Sequence, residues 1–283
     1  MRKNLIKKNI RKGARFYRKA TRHLRVLPDF IIIGAQKCGT TSLYDNLIKH
    51  PSILPSFTKE VDFFNKKFHK GVEWYRAHFP SVVYKYCITH IYKRDFITGE
   101  ASPDYIFYPH SPKRISTVLP GVKIIVLLRN PVDRAYSHYY HEIRQKRETL
   151  SFEDAIGMEE ERLRGEFEKI TNDENYYSFN YNTYSYLSRG IYIEQLKHWS
   201  NFFNKEQILI LKSEDFFEDS QAVFQRTLQF LNLPSWQPEY FGKDNVGYYP
   251  KMEVSTRCRL LNYFESYNYR LYEYLGVNFG WEK

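Results

Sequence analysis

The residues best suited to chemistry come early in the chain. From Phe30 to Tyr44 it reads FIIIGAQKCGTTSLY: an apolar run, a turn of small residues, then the start of a helix. Such a turn aims several backbone N–H groups and the positive end of a helix dipole at one point, which makes an anion site. Gly34 and Gly39 let the backbone approach a ligand, with Cys38 inside the turn. Thr40, Thr41 and Ser42 add hydroxyl donors, and Lys37 adds a full positive charge. The two glycines match the phosphate-loop spacing G-x-x-x-x-G-K-[ST], but Thr40 stands where that pattern places its lysine, and the lysine has moved back to Lys37. A kinase needs the lysine on the β- and γ-phosphates with Mg²⁺ beside it. This loop instead suits a single 5′ phosphoryl–sulfuryl unit of lower charge density. A kinase acting on a nucleotide or sugar remains the alternative reading.

A second anion receptor lies about ninety residues on. Arg129 follows the apolar run KIIVLL at the end of a strand, where ligands of open α/β sheets collect. Ser137 comes eight residues later, about two turns into the next helix. A guanidinium fork with a hydroxyl is a good receptor for a dianionic phosphate. Arg134, in the same helix, reads as a structural ion-pair former.

The elements that must carry these groups follow from pattern. Phe30–Ile33, Lys123–Leu128 and Gln207–Leu211 are short, continuous apolar runs of the kind buried in a parallel sheet. Each is followed by helical sequence: from Thr41 to Lys49, from Pro131 onward, and from about Glu218 to Leu231. Alternating strands and helices imply an α/β fold, a P-loop-like three-layer domain with a central parallel sheet flanked by helices. Glu148 to Tyr184 reads as surface helix and loop, and Ser255 to Leu275 as an amphipathic helix.

Taken in order, these blocks resemble the PAPS-dependent sulfotransferases (PAPS, 3′-phosphoadenosine 5′-phosphosulfate), in particular the heparan sulfate N- and 3-O-sulfotransferase branch. The phosphate loop is joined by KEVDFFN (Lys59–Asn65), HKGVEWYRAHFP (His69–Pro80), GEASPDYIF (Gly99–Phe107), LLRNPVDRAYSHYYH (Leu127–His141) and RGIYIEQLKHW (Arg189–Trp199). The resemblance implies sulfuryl transfer from PAPS to a hydroxyl or amine, with a carbohydrate or glycolipid as the expected acceptor. It gives the 5′-phosphosulfate to the loop and the 3′-phosphate to Arg129 and Ser137. It gives the catalytic base to Glu60, a role in proton transfer to His141, and closure of the nucleotide to a late loop matched by NVGYYP. In that loop Asn245, Tyr248 and Tyr249 are the candidates, with stacking on adenine as their role. Lys37 is expected to neutralise the bridging oxygen as it leaves. Asp62 and Ala101 depart from the branch, which has a glycan-facing His and a Lys there, so a heparin-like acceptor is not expected. No metal is implied.

The net charge of +11 has a definite address, because eleven Lys and Arg and no acidic residue precede Asp29, leaving a formally neutral remainder. Residues 1–28 therefore read as a basic arm and 29–283 as one domain. Apolar residues at near-helical spacing in the arm suit a helix on an anionic membrane surface, and a solvated arm is the equal alternative. Nucleic acid is not an expected partner, since that reading leaves both anion receptors unexplained. No run of about 20 apolar residues crosses a bilayer, and three scattered cysteines point to a reducing compartment. The expected setting is cytoplasmic, at most peripheral at the membrane.

Overall fold

Strands that are apolar on every residue must be covered on both faces. In the computed structural model, which describes residues 12–91, 95–242, 247 and 249–282, β1 (Phe30–Gly34) is buried along its whole length. It lies at the centre of a five-stranded, all-parallel sheet with β2 (Ile53–Pro55), β3 (Ile97–Ala101), β4 (Lys123–Leu128) and β5 (Ile208–Lys212), in the order β2-β3-β1-β4-β5. Helices flank this sheet, as the alternating pattern requires. The strands β1, β4 and β5 fall where their apolar runs predict them. Sequence pattern did not identify β2 and β3. The first is three residues long and ends on Pro55, and the second carries Thr98, Gly99 and Glu100 in a fully buried position.

Gly99 is dictated by packing. It pairs with Phe30 across β1 and β3, and a Cβ there would sit 2.4 Å from the Phe30 ring. The Asp29 carboxylate fixes the same register by accepting the Thr98 N–H at 2.8 Å.

The helices that matter to function begin where their caps say they should. α1 (Thr40–Leu47) starts from Gly39 in the left-handed region at φ 88°. α2 (Pro131–Arg144) has Pro131 in its first turn, and the Asn130 side chain accepts the Val132 N–H. α3 (Tyr192–Ser200) and α4 (Ser220–Phe230) follow, and α5 (Val254–Leu275) packs its buried Leu260, Phe264 and Leu271 face against α2 and α3.

The basic segment before Pro28 divides in two. Residues 12–20 form a helix whose Lys12, Arg15 and Lys19 are exposed. Arg18 instead turns inward and donates to the carbonyls of Ala77, His78 and Phe79, and buried Arg25 donates to Phe79 at 2.9 Å. Arg134 departs from its expected role as an ion-pair former. It is fully buried and donates to the carbonyl of Tyr186.

Candidate active site

The strand order places the phosphate loop between two neighbours. Ser102 and Ile106, after β3, donate their N–H groups to Ile32 and Ile33 at 3.0 and 2.9 Å, and Ala35 donates to Leu127 of β4 at 2.7 Å. Gly34 must lack a side chain, because a Cβ would lie 2.3 Å from Ile106. The first-turn N–H groups of any helix find no acceptor within it, and Gly39 offers α1 no capping side chain. The helix dipole and those N–H groups therefore point into the loop beside Thr40, Thr41 and Ser42.

Lys37 stands over this loop with a left-handed backbone, φ 69°. Left-handed lysine is uncommon and is characteristic of sites where geometry is imposed by function. Burial pushes its ammonium below the ordinary lysine value, and crowding by Arg144 and Arg129 pushes it further. Cys38 turns away from the loop mouth. Its N–H donates to Ala35, its thiol meets the Tyr192 hydroxyl at 3.7 Å, and burial raises the thiol to about 11. Its thiol helps to shape the loop from within.

Arg129 lies beside the loop, donating to the Lys37 carbonyl at 3.4 Å, while the Tyr192 hydroxyl donates to the Arg129 carbonyl at 2.9 Å. Burial works against its charge, but Tyr249, which hydrogen-bonds the guanidinium, and Asp133 more than offset this. Tyr249 also stacks on Tyr140 of α2, centroids 4.9 Å apart and 7° between planes. The late loop thus reaches Arg129 through Tyr249. Asn245 and Tyr248 lie outside the described residues.

Ser137, His141 and Arg144 succeed one another at helical spacing on α2, so one face of it looks toward Lys37. Ser137 is buried. Burial and the positive charges of Lys37, Arg147 and Arg144 lower His141 to about 4, so its imidazole is neutral at neutral pH. Arg144 was not identified from sequence, although its place seven residues beyond Ser137 puts it on the same helix face.

Glu60 lies in the segment between β2 and the short helix Phe63–Lys66, with φ 56°, followed by Asp62 at φ 54°. Its N–H donates to Ala101 at the end of β3, 3.2 Å away. The side chain opens to solvent, yet surrounding protein desolvates the carboxyl enough to raise its pKa, with repulsion from Asp104 and Asp62 adding to the effect. Phe63 and Phe64 are fully buried against Tyr75 and anchor this segment. Asp104 is gripped by Lys66 at 2.8 Å and Arg189 at 2.9 Å. Burial opposes its charge, but those two cations hold its carboxyl well below the usual range. Asp104 acts electrostatically on both Glu60 and His141, and Lys37 acts on His141. The Glu60 segment, the α2 face and the phosphate loop therefore share one neighbourhood. Among the described residues no group of three His, Cys, Asp or Glu is placed to hold a metal ion.

Comparison with known proteins agrees with this arrangement. A family model described as the sulfotransferase domain matches residues 27–243. The chain is 30% identical to the membrane-associated sulfotransferase kil1 of Dictyostelium discoideum, covering 92% of this chain and 67% of that protein. It is 28% identical to the human heparan sulfate glucosamine 3-O-sulfotransferase 3B1, over 90% of this chain and 65% of the relative. It is 30% identical to the mouse bifunctional heparan sulfate N-deacetylase/N-sulfotransferase 4, of which it spans only 29%. A sulfotransferase structure from Alicyclobacillus acidocaldarius superposes with a TM-score of 0.67 at 31% identity, covering 91% of this chain and all of that one.

Proposed function

Because this chain belongs to the sulfotransferase domain family, we propose that it transfers the sulfuryl group of PAPS to a hydroxyl or amine of an acceptor that is a carbohydrate or glycolipid. The observation that carries the reading is the phosphate loop at the start of α1 with Arg129 bonded to the Lys37 carbonyl beside it, and with Arg129 and Arg144 both near enough to act on the Lys37 ammonium. Like charges gathered over a helix N-terminus are costly unless an anion sits among them, and a nucleotide with phosphates at both ends of its ribose meets that demand.

In this reading Lys37 and the α1 N-terminus, with Thr40, Thr41 and Ser42, hold the 5′-phosphosulfate, and Arg129 and Ser137 hold the 3′-phosphate. Tyr249, with Asn245 and Tyr248 in the same segment, closes the nucleotide side. When bound, PAPS supplies the sulfuryl group on its phosphosulfate anhydride. Glu60 takes the acceptor's proton, and its raised pKa brings it nearer the pH at which a base is effective. Lys37 stabilises negative charge that develops at the loop, and neutral His141 stands by as an accessory proton acceptor. Asp62 and the buried Ala101 offer no cation to a polyanion, which favours an uncharged sugar.

The exposed basic residues before Pro28, together with the membrane-associated name of the Dictyostelium relative, support peripheral attachment to an anionic surface of the cytoplasm. Among the described residues no helix is long and apolar enough to cross a membrane.

Titration calorimetry tests the core of the proposal. 3′,5′-ADP should bind at least about ten-fold tighter than 5′-AMP, equivalent to about 1.4 kcal/mol, without Mg²⁺, and Arg129→Ala should erase the difference. Equal affinities in the native protein would overturn the reading, and a strict Mg²⁺ requirement would favour a kinase.

A further inference from the structure

Glu100 sits in β3 with no exposed surface. Three hydroxyls donate to its carboxylate: Tyr75 to Oε1 at 2.7 Å, Tyr105 to Oε1 at 3.1 Å, and Ser102 to Oε2 at 2.8 Å. Two of those hydroxyls do something more. Ser102 Oγ accepts the Asp62 N–H at 3.2 Å, and Tyr105 Oη accepts the N–H groups of Phe63 at 2.8 Å and Phe64 at 3.4 Å. These are the backbone groups just after Glu60.

We propose that Glu100 is a positioning residue for Glu60, acting through the hydroxyls of Ser102 and Tyr105. A hydroxyl has one proton to give. An ionised carboxylate accepts only, so it draws the protons of Ser102 and Tyr105 inward and leaves their lone pairs facing the N–H groups of residues 62–64. The segment needs such a hold, because Glu60 and Asp62 both have left-handed backbones. The Glu60 N–H to the Ala101 carbonyl ties the other end of the segment to the same strand. A carboxylic acid at position 100 would carry a proton on one oxygen and no charge, so its hold on the hydroxyls, and through them on the segment, would weaken.

The groups facing Glu100 are Tyr75 from the helix Val72–Arg76, Ser102 and Tyr105 after β3, and, acting through space, Asp62 and Tyr44. Burial pushes the carboxyl up to about 7 against the pull of the hydroxyls. Removing a hydroxyl should raise it further, so the ionised form would be lost at a higher pH.

The inference rests on Glu60 being the base, and the experiment separates the two. Acceptor kcat and KM, 3′,5′-ADP affinity and a pH–kcat profile would be measured on the full chain for Ser102→Ala, Tyr105→Phe, Tyr75→Phe and Glu60→Gln. Ser102→Ala and Tyr105→Phe should each lower kcat on the order of ten-fold, with acceptor KM and 3′,5′-ADP affinity held. Neither should lower kcat further when combined with Glu60→Gln. Tyr75→Phe, which touches no backbone of the segment, should keep kcat at high pH and move the acid limb upward. The proposal is overturned by additive losses in the Glu60→Gln background, by unchanged kcat in folded Ser102→Ala and Tyr105→Phe, or by an unmoved limb in Tyr75→Phe. If Glu60→Gln alone keeps full kcat, the base assignment fails and the inference falls with it, while a retained 3′,5′-ADP preference would leave the nucleotide reading standing.

Discussion

Glu60, the proposed base, sits among other acids. Burial, Asp104 and Asp62 raise its carboxyl pKa, while Lys59 and Lys66 pull it down. A base must be ionised to act, so kcat/KM should rise with pH through the folded-state pKa of Glu60 and fall away below it. That limb should lie above the ordinary carboxylate range. Asp62→Asn removes a source of repulsion on both Glu60 and Glu100, so the limb, to which both carboxyls contribute, should move to lower pH; a limb that stays put would detach this titration from the pair. Glu60→Gln should cost about 10²–10⁴-fold in kcat, with calorimetric 3′,5′-ADP binding intact. The phosphate loop, Arg129 and Glu60 are legible in sequence because each sits in a short contiguous block. Asp104, which acts electrostatically on both Glu60 and His141, is not: its cations Lys66 and Arg189 come from segments 38 and 85 residues away, and no periodicity connects them. Arg144 was within reach, as one more turn along a helix face already marked by Ser137 and His141.

Strands and helices differ in how openly they declare themselves. β1, β4 and β5 carry unbroken apolar runs and announce burial. β3 is almost as buried, yet it reads as polar, because Glu100 is satisfied by hydroxyls, two from just beyond the strand and one from Tyr75, and Gly99 is present to make room for a ring. That second cause is testable. Gly99→Ala would push a Cβ into the space of Phe30, 2.4 Å from the ring, at the pairing that sets β3 beside the phosphate strand. Over-packing of this kind costs about 1–3 kcal/mol, which a shift in the urea midpoint at constant slope would report. An unshifted midpoint would mean that the ring moves aside freely. The basic segment hid its structure for a related reason. Eleven like charges before Asp29 look uniformly solvated in sequence, but the carbonyls of residues 77–79 need donors, and Arg18 and Arg25 supply them.

At the scale of the whole molecule, charge is divided between places that do different work. The formal +11 belongs to the first 28 residues, and the remaining chain is formally neutral. Within that neutral body the cations Lys37, Arg129 and Arg144 gather by the phosphate loop, while around Glu60 the acids Asp62 and Asp104 are matched by Lys59, Lys66 and Arg189. On the proposed reading a nucleotide bearing several negative charges should therefore feel salt strongly, and an uncharged sugar approaching the Glu60 side should not. Raising ionic strength from about 0.1 to about 1 M shortens the Debye length from about 10 Å to about 3 Å. Over that range 3′,5′-ADP affinity should weaken several-fold, whereas KM for a soluble neutral glycan acceptor should change by less than about two-fold. A polyanionic acceptor would behave otherwise, because its attraction depends on unscreened cations beyond the nucleotide pocket. Were KM for the true acceptor to climb in step with the loss of nucleotide affinity, the acceptor would be an anion held by the exposed basic residues ahead of Pro28, and the neutral-sugar reading of Asp62 and Ala101 would be wrong.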